Sequence, residues 1–315
     1  MVALGLVLGS AGVAQAVGTR ALATDNKLFG LDGVSDSNWG TLHQLNELTG
    51  SSSTVGTRGT YSPFGFPYQA AFDPSRNSIF WINSDFNTGA PSYLMKTNPT
   101  TGQATLIGEF LDGSTAVGVD SMAVSASGLG YAIAGPRLFQ INMATGALTL
   151  INGQLQMDRI YSFAFNPANS KFYVLSNDSM GGLAELNVTN GTMTPLIPIG
   201  NFPDLGAGTS WGAKRTYSIA FDQNGSMWGV NIDGDLFTTL VTGTNAADFI
   251  TGVQTVGTPG QSATNSIAIT YPVSSNETLA NTGGKAELQF ANLALAVLAL
   301  SAGAVLIAIS RRRMN

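Results

Sequence analysis

The chain contains no cysteine and only one histidine, His43, among its 315 residues. The first absence removes disulfides, thiolate nucleophiles and thiolate zinc sites, and the second removes any metal motif built on two imidazoles. Charge is scarce as well, with Asp, Glu, Lys and Arg together making up 10% of the residues. Between Val17 and Thr282 there are 18 acidic side chains against 10 basic ones, a net charge of about −8. Without a basic cluster such a stretch is a poor partner for nucleic acid, whose phosphates are bound by Lys and Arg. A glycine loop followed by lysine, of the kind that cradles phosphates, is also missing.

What is present begins at the two ends. Met1 to Val13 is apolar and small, though without an opening Lys or Arg, and Ala14-Gln15-Ala16 fits the A-x-A pattern of a signal-peptidase site. Residues 1–16 are therefore expected to be a signal peptide, with Val17 starting the exported chain. At the other end stand Leu279-Ala280-Asn281-Thr282-Gly283, then an uncharged apolar run over 288–310, then Arg311-Arg312-Arg313 within a basic tail over 311–315. Roughly twenty such apolar residues are what a helix needs to cross a bilayer. Three arginines after it would stay in the cytoplasm and place the preceding chain outside the cell.

This ending resembles the sorting signal of Gram-positive surface proteins, an LPXTG-type pentapeptide followed by a span and a basic tail. Ala280 in place of proline resembles the LAxTG variant. The resemblance implies that a sortase cleaves after Thr282 and joins the protein to a peptidoglycan precursor. It also implies a cell-wall location, with a membrane-spanning state before processing.

The body of the chain reads as all-β. Glycine is abundant, at 38 residues, and Ser, Thr and Asn separate short apolar runs, which is the pattern of many strands joined by turns. Five inner-strand segments share an alanine between larger apolar residues: Gln69–Asp73, Ser121–Ser125, Ser162–Asn166, Ser218–Asp222 and Ser266–Thr270. Five turn marks alternate with them: Asn46–Gly50, Asn98–Gly102, Asn142–Gly146, Asn187–Gly191 and Thr239–Gly243. Glycine ends each mark because a tight turn needs a residue at ease with positive φ. The period of roughly 40 to 55 residues is that of four-stranded propeller blades.

Within the first repeat the expected strands are Ala71–Asp73, Ser78–Asn83, Tyr93–Asn98 and Ala104–Gly108. The first turn mark precedes the first inner strand, and the last inner strand has no strands after it. The expectation is therefore one composite blade, with its inner strand from Ser266–Tyr271 and its outer three from Lys27–Gly56. A β-propeller over 17–273 of five four-stranded blades follows, closed by pairing of N- and C-terminal strands. Six blades remain open if 57–68 or 201–217 hides further strands. A linker over 274–287 would hold the sorting motif. The repeats resemble bacterial extracellular β-propellers with an alanine, apolar, Asp or Asn, Pro inner strand, seen in Asp73-Pro74 and Asn166-Pro167. That resemblance implies architecture and leaves function to be argued from a site.

Candidate site residues are few. His43 is expected in a strand beside a turn, as a surface or interstrand residue. Gly208-Thr209-Ser210-Trp211-Gly212 matches the nucleophile-elbow string without the strand-to-helix turn or histidine that elbow needs. Asp32, Asp36, Asp85, Asp178, Asp233 and Asp235 are expected on loops of one face. Asp233 and Asp235 form the best local candidate for calcium, the one cofactor these oxygen ligands suggest. Aromatic residues concentrate in connections on the same face: Trp39, Tyr61, Phe64, Phe66, Tyr68, Phe86, Trp211 and Tyr217, with Arg215 beside them. Such rings bring large contact area at small entropic cost, which suits a glycan or protein ligand. The reading is a non-enzymatic surface binding module. Its alternative is an extracellular propeller hydrolase or lyase with an acidic, calcium-assisted site.

Overall fold

Short apolar runs broken by Asn, Asp and Gly become strands and turns throughout. The computed structural model describes residues 25–32, 40–58, 66–84, 91–156, 160–176, 182–198, 216–231, 236–240, 251–257 and 264–272. Among them are 22 strands and no helix. All belong to one unit, Met1–Pro272, and the second unit, Val273–Asn315, lies outside the described residues. The expected signal peptide, sorting motif, membrane helix and basic tail also lie outside them.

Three strands open the chain: β1 (Lys27–Asp32), β2 (Leu42–Leu45) and β3 (Ser52–Thr54). Next come β4 (Phe66–Asp73), β5 (Ser78–Ser84), β6 (Tyr93–Thr97) and β7 (Ala104–Glu109), then a short hairpin, β8 (Leu111–Asp112) and β9 (Thr115–Ala116). The third group is β10 (Ser121–Val124), β11 (Gly130–Ala134), β12 (Arg137–Ile141) and β13 (Ala147–Asn152). The fourth is β14 (Ile160–Asn166), β15 (Lys171–Ser176), β16 (Gly182–Asn187) and β17 (Thr192–Pro198). The last strands are β18 (Thr216–Phe221), β19 (Ser226–Asn231), β20 (Leu236–Leu240), β21 (Thr251–Gly257) and β22 (Thr264–Thr270).

The strands form five sheets, four with four strands and one with six. Three of them, β4 to β7, β14 to β17 and β18 to β21, are simple antiparallel meanders. A fourth has the order β22-β1-β2-β3, so the first and last strands lie side by side, with Lys27 opposite Thr270 and Phe29 opposite Ala268. The innermost strands pack in the cyclic order β4, β10, β14, β18, β22 and back to β4. Radial sheets whose inner strands close a ring define a β-propeller.

The six-stranded sheet departs from the four-strand expectation. The β8–β9 hairpin, in the connection after β7, pairs in parallel with the outer strand β13, Leu111 opposite Ala147 and Asp112 opposite Leu148. Covering an open sheet edge in this way satisfies backbone groups that would otherwise invite pairing with another chain.

Burial lies between sheets, in five clusters. Phe80, Ile82 and Leu94 meet Met122, Val124 and Phe139, and Ile133 and Leu138 meet Phe163, Phe172 and Val174. Tyr173 and Leu183 meet Ile219, Phe221 and Met227, and Trp228, Val230 and Leu236 meet Leu28, Leu45 and Ile267. Phe29, Leu31 and Leu42 close the circle against Phe72, Ile79 and Trp81. A strand sandwiched between two other sheets is apolar on both faces, which is why β5 is buried at every position and shows no alternation. Each fully buried Leu, Ile or Phe contributes about 1.5–3 kcal/mol to this packing. Trp81 is wholly buried and donates its indole N–H to Thr97 Oγ1 at 2.9 Å, so its polar end is also satisfied.

Four of the five marks are turns linking third to outer strands. In each, the glycine N–H donates to the asparagine carbonyl four residues back: Gly50 to Asn46, Gly102 to Asn98, Gly146 to Asn142 and Gly191 to Asn187, at 2.8–2.9 Å. The asparagine side chains accept further backbone N–H groups, as Asn98 Oδ1 does from Thr100 and Thr101. In the fifth mark Thr239 and Leu240 belong to β20, and the rest lies outside the described residues.

Gly102, Gly146 and Gly191 also meet the neighbouring sheet. Gly102 has φ +72°, and a Cβ there would lie 1.8 Å from the carbonyl oxygen of Val55, at the end of the preceding sheet. Gly56 faces the same contact from the other side, 2.0 Å from Thr101 O. Positive φ and inter-sheet contact thus both require glycine.

Candidate functional site

Most residues named from sequence lie outside the described residues: Trp39, Tyr61, Phe64, Phe86, Trp211, Arg215, Asp233, Asp235, Ser210, Asp36, Asp85 and Asp178. So do Ala14, Ala16 and the pentapeptide Leu279, Ala280, Asn281, Thr282 and Gly283. Three aromatics expected in loops belong instead to inner strands. Phe66 opens β4 opposite Ser84, Tyr68 follows in the same strand, and Tyr217 lies in β18. The inner strand simply begins earlier than its apolar core suggests.

Asp32, also expected in a loop, ends β1 and is 3% exposed. His43 lies in β2 as expected, its Nδ1 3.5 Å from Thr54 Oγ1 and its Nε2 buried without a hydrogen-bond partner among the described residues. Burial pulls the imidazole pKa below its usual 6.5, against the opposing pull of Asp32. Asp222, buried in a turn after β18, accepts backbone N–H groups from Asn224 and Ser226, and burial raises its carboxyl. Asp73 accepts from Ser75 and pairs with Arg76, which also donates to Gly128 O at 3.0 Å in the next sheet. These carboxylates close turns. Among the described residues no three His, Asp or Glu side chains gather as a metal site would require.

A different constellation emerges where the inner strands start. In four of them a β-bulge interrupts the ladder at the same level. On β4 the pairing jumps from Pro67–Asn83 to Ala70–Trp81, so Tyr68 and Gln69 together oppose Ile82. Tyr161 on β14, Tyr217 on β18 and Asn265 on β22 are the extra residues in the other three. In the fifth, Asp120 stands just before β10 and donates its N–H to Ile133 O, the residue that Ser121 already faces. Bulges re-aim side chains, and they concentrate beside functional sites.

Directly below this level lies a belt of polar residues, Gln69, Ser121, Ser162, Ser218 and Ser266, all 0% exposed. Ser162 accepts the N–H of Ile219 at 2.9 Å, and Ser218 accepts that of Ile267 at 3.1 Å, so each hydroxyl ties its strand to the next. Ser162 also donates across the ring to Gln69 Oε1 at 3.1 Å. The hydroxyls of Ser121 and Ser266, on the strands flanking β4, have no hydrogen-bond partner among the described residues. Past the belt, Ala71, Ala164, Ala220 and Ala268 help to line a small apolar cavity of about 30 Å³.

At the level above, Tyr68, Asp120 and Tyr161 are half-buried. Tyr68 packs against the cluster of Val119 and Met122, and Tyr161 is partly covered. Asp120 Oδ2 accepts the Gly135 N–H at 2.6 Å. Burial raises the Asp120 carboxyl, and that hydrogen bond offsets part of the rise.

The fold is a β-propeller whose inner strands carry a buried polar belt. No protein-family model matches the chain, and no curated protein does. Among solved structures it is similar to a protein of unknown function from Bacteroides thetaiotaomicron, at 13% identity and TM-score 0.47 over 77% of this chain. It is also similar to TolB from Acinetobacter baumannii, at 14% identity and TM-score 0.44 over 73% of this chain. The chain spans 64% and 53% of those two proteins' own lengths.

Proposed function

We propose that this protein is an exported cell-surface β-propeller, joined covalently to peptidoglycan by a sortase and working as a non-enzymatic interaction module. The observation that carries the reading is the order of three sequence features: Leu279–Gly283, the uncharged apolar run over 288–310, and Arg311 to Arg313. In that order the span halts export, the arginines hold its end in the cytoplasm, and the pentapeptide waits on the outer side. The Thr282–Gly283 bond then breaks, and the Thr282 carbonyl forms an amide with the amine of a peptidoglycan precursor.

The five sheets are read as five blades of one closed ring, the β1–β22 pairing acting as its clasp. Support for this comes from the cyclic packing of inner strands and from the register of β1 on β22. A clasp of this kind leaves no free inner edge and suits a protein exposed to an extracellular environment without disulfides. The ligand side is the face where outer strands lead into inner ones, because the aromatic residues of the sequence concentrate in those connections.

Cells producing Thr282→Ala are expected to lose the protein from the wall fraction and to accumulate it in membranes. Unchanged wall attachment would overturn the anchoring reading.

A further inference from the structure

We propose that the end of the ring where inner strands turn into second strands is the surface that lies against the peptidoglycan, and that the opposite end of the axis points away from the wall. This placement rests on the anchoring reading and adds a wall-facing surface to it.

Contacts between turns bring the ends of the inner strands together. Arg76, in the turn after β4, donates to Gly128 O at 3.0 Å in the turn after β10. A Cβ on Gly225, in the turn after β18, would sit 3.2 Å from Ala168 in the turn after β14. β22 stops at the same end, and its exit is held from both sides. Gln223, in the turn after β18, donates to Pro272 O at 2.9 Å, and the Tyr271 ring meets Phe72 of β4 edge-on at 5.3 Å. β1 starts here too, with Lys27 opposite Thr270. The chain therefore leaves its last strand at the end where the inner turns gather.

Reach then sets the orientation. Ten residues separate Pro272 from Thr282, the residue that would carry the wall bond. Fully extended, they span about 35 Å. Placing the other end of the ring against the wall would take more. The tether would first cross a four-stranded sheet, about 14 Å at 4.7 Å between strands, and then run back along seven residues of strand, about 23 Å at 3.3 Å per residue. That path alone exceeds the reach. The surface left facing the wall suits a neutral polar polymer. Ser75, Asn77, Ser127, Ser170 and Asn224 are exposed on its turns, with hydroxyls and amides that donate and accept. Asp73 and Asp222 are buried, and Arg76 and Lys171 are paired with Asp73 and Glu185. Hydroxyls and peptide amides are also what peptidoglycan presents. A short tether holds even a weak contact at high effective concentration, so a few such bonds suffice.

The absence of cysteine allows a direct test by single-site labelling. Ser127→Cys and Asn224→Cys mark the wall-facing end. Pro136→Cys and Gln156→Cys mark the other, since Pro136 lies in the turn between β11 and β12 and its carbonyl accepts the N–H of Leu155, beside Gln156, at 2.6 Å. Intact cells producing each full-length chain are treated with a small maleimide dye or with a long polyethylene-glycol maleimide. The dye should label all four. The long reagent should label Pro136→Cys and Gln156→Cys several-fold more than Ser127→Cys and Asn224→Cys, and digestion of the wall with a muramidase should erase the difference. Two positions at each end keep the comparison intact if one variant misfolds. Equal labelling on intact cells, or shielding of positions 136 and 156 instead, would overturn the placement and leave the anchoring reading standing. A difference that survives digestion would also overturn it, because the fold itself would then be the shield. Chains lost from the wall fraction would overturn both readings.

Discussion

Ser162 donates its hydroxyl hydrogen to Oε1 of Gln69 at 3.1 Å, although 93 residues separate them and their strands are not neighbours in the ring. The same oxygen of Ser162 accepts the Ile219 N–H at 2.9 Å. One hydroxyl therefore holds three inner strands, β4, β14 and β18, at a level where all the side chains are excluded from water.

Removing that hydroxyl takes a hydrogen-bond partner from two buried groups at once. Ser162→Ala leaves both Gln69 Oε1 and the Ile219 N–H without this partner, whereas Ser218→Ala releases only the Ile267 N–H. A buried polar group left unpaired costs about 1–3 kcal/mol. Ser162→Ala should therefore destabilise the fold more than Ser218→Ala, measured by denaturant unfolding of the two variants. Equal losses would mean that the bond across the axis contributes nothing.

The turn glycines give a second comparison. Gly102 and Gly135 both have positive φ, 72° and 54°, but a Cβ on Gly102 would strike Val55 O at 1.8 Å, and one on Gly135 meets nothing within 4 Å. Gly135→Ala should cost only the left-handed backbone strain, about 1–2 kcal/mol. Gly102→Ala adds a displacement of the neighbouring sheet and should cost about 3 kcal/mol or more, since only strain and overpacking together reach that range. Thermal unfolding of both variants decides whether the turn marks also dock neighbouring sheets.

That second role was hidden from sequence for a physical reason. The chemistry of Asn98 to Gly102 is local, and a pentapeptide with asparagine first and glycine last declares itself a turn wherever it occurs. The partner of Gly102, Val55, belongs to another repeat, and its approach depends on how sheets tilt around the axis. The β8–β9 hairpin escaped notice because strands of two residues carry no periodicity. The inner strands were legible from their shared alanine, and β1 was assigned to β22 because the turn marks and inner strands are out of phase along the chain.

The site divides the same way. Tyr68 and Tyr217 drew attention as aromatics of long connections, although each belongs to a strand. Asp120 and Tyr161 did not. Aspartate beside glycine reads as turn chemistry, and the five-fold equivalence of Tyr68, Asp120, Tyr161, Tyr217 and Asn265 appears only once bulges are located in the ladders. A β-bulge is a property of two paired strands, so one strand's sequence does not announce it.

His43 provides a test against pH. Its pKa in the folded chain lies below the ordinary 6.5 because burial disfavours the charged ring more than Asp32 favours it. As pH falls, the unfolded chain takes up this proton first. The stability contributed by neutral His43 is therefore complete above about pH 6.5 and is lost as pH falls from there toward the folded value. Burial raises Asp120 and Asp222, which act in the opposite direction at lower pH, so the comparison must be with a variant and not with wild type alone. His43→Gln should lose less stability than wild type between about pH 7.5 and 5.5, by thermal unfolding at both values. Parallel losses would show that the imidazole is solvated as freely in the fold as in the unfolded chain.

Pairing of β1 with β22 makes a prediction about connectivity. Lys27 stands opposite Thr270, so the strand ends that a new hairpin would join already lie side by side. A chain in which a short turn links Pro272 to Asp25, with new termini between Gly113 and Ser114 at the tip of the β8–β9 hairpin, keeps every other strand connection intact. Covalent closure then replaces a closure that otherwise depends on two strands meeting from opposite ends of the chain. The permuted protein should unfold cooperatively, with a midpoint at or above that of residues 25–272 in their natural order, and more slowly. Deleting residues 25–33 from the natural order should have the opposite result, because Ile267 and Ile269 lose Leu28 from their shared cluster and β22 is left with an unpaired edge. Both chains can be followed by circular dichroism and limited proteolysis. A permuted chain that fails to fold beside a truncated chain that folds normally would mean that the ring closes by some other contact.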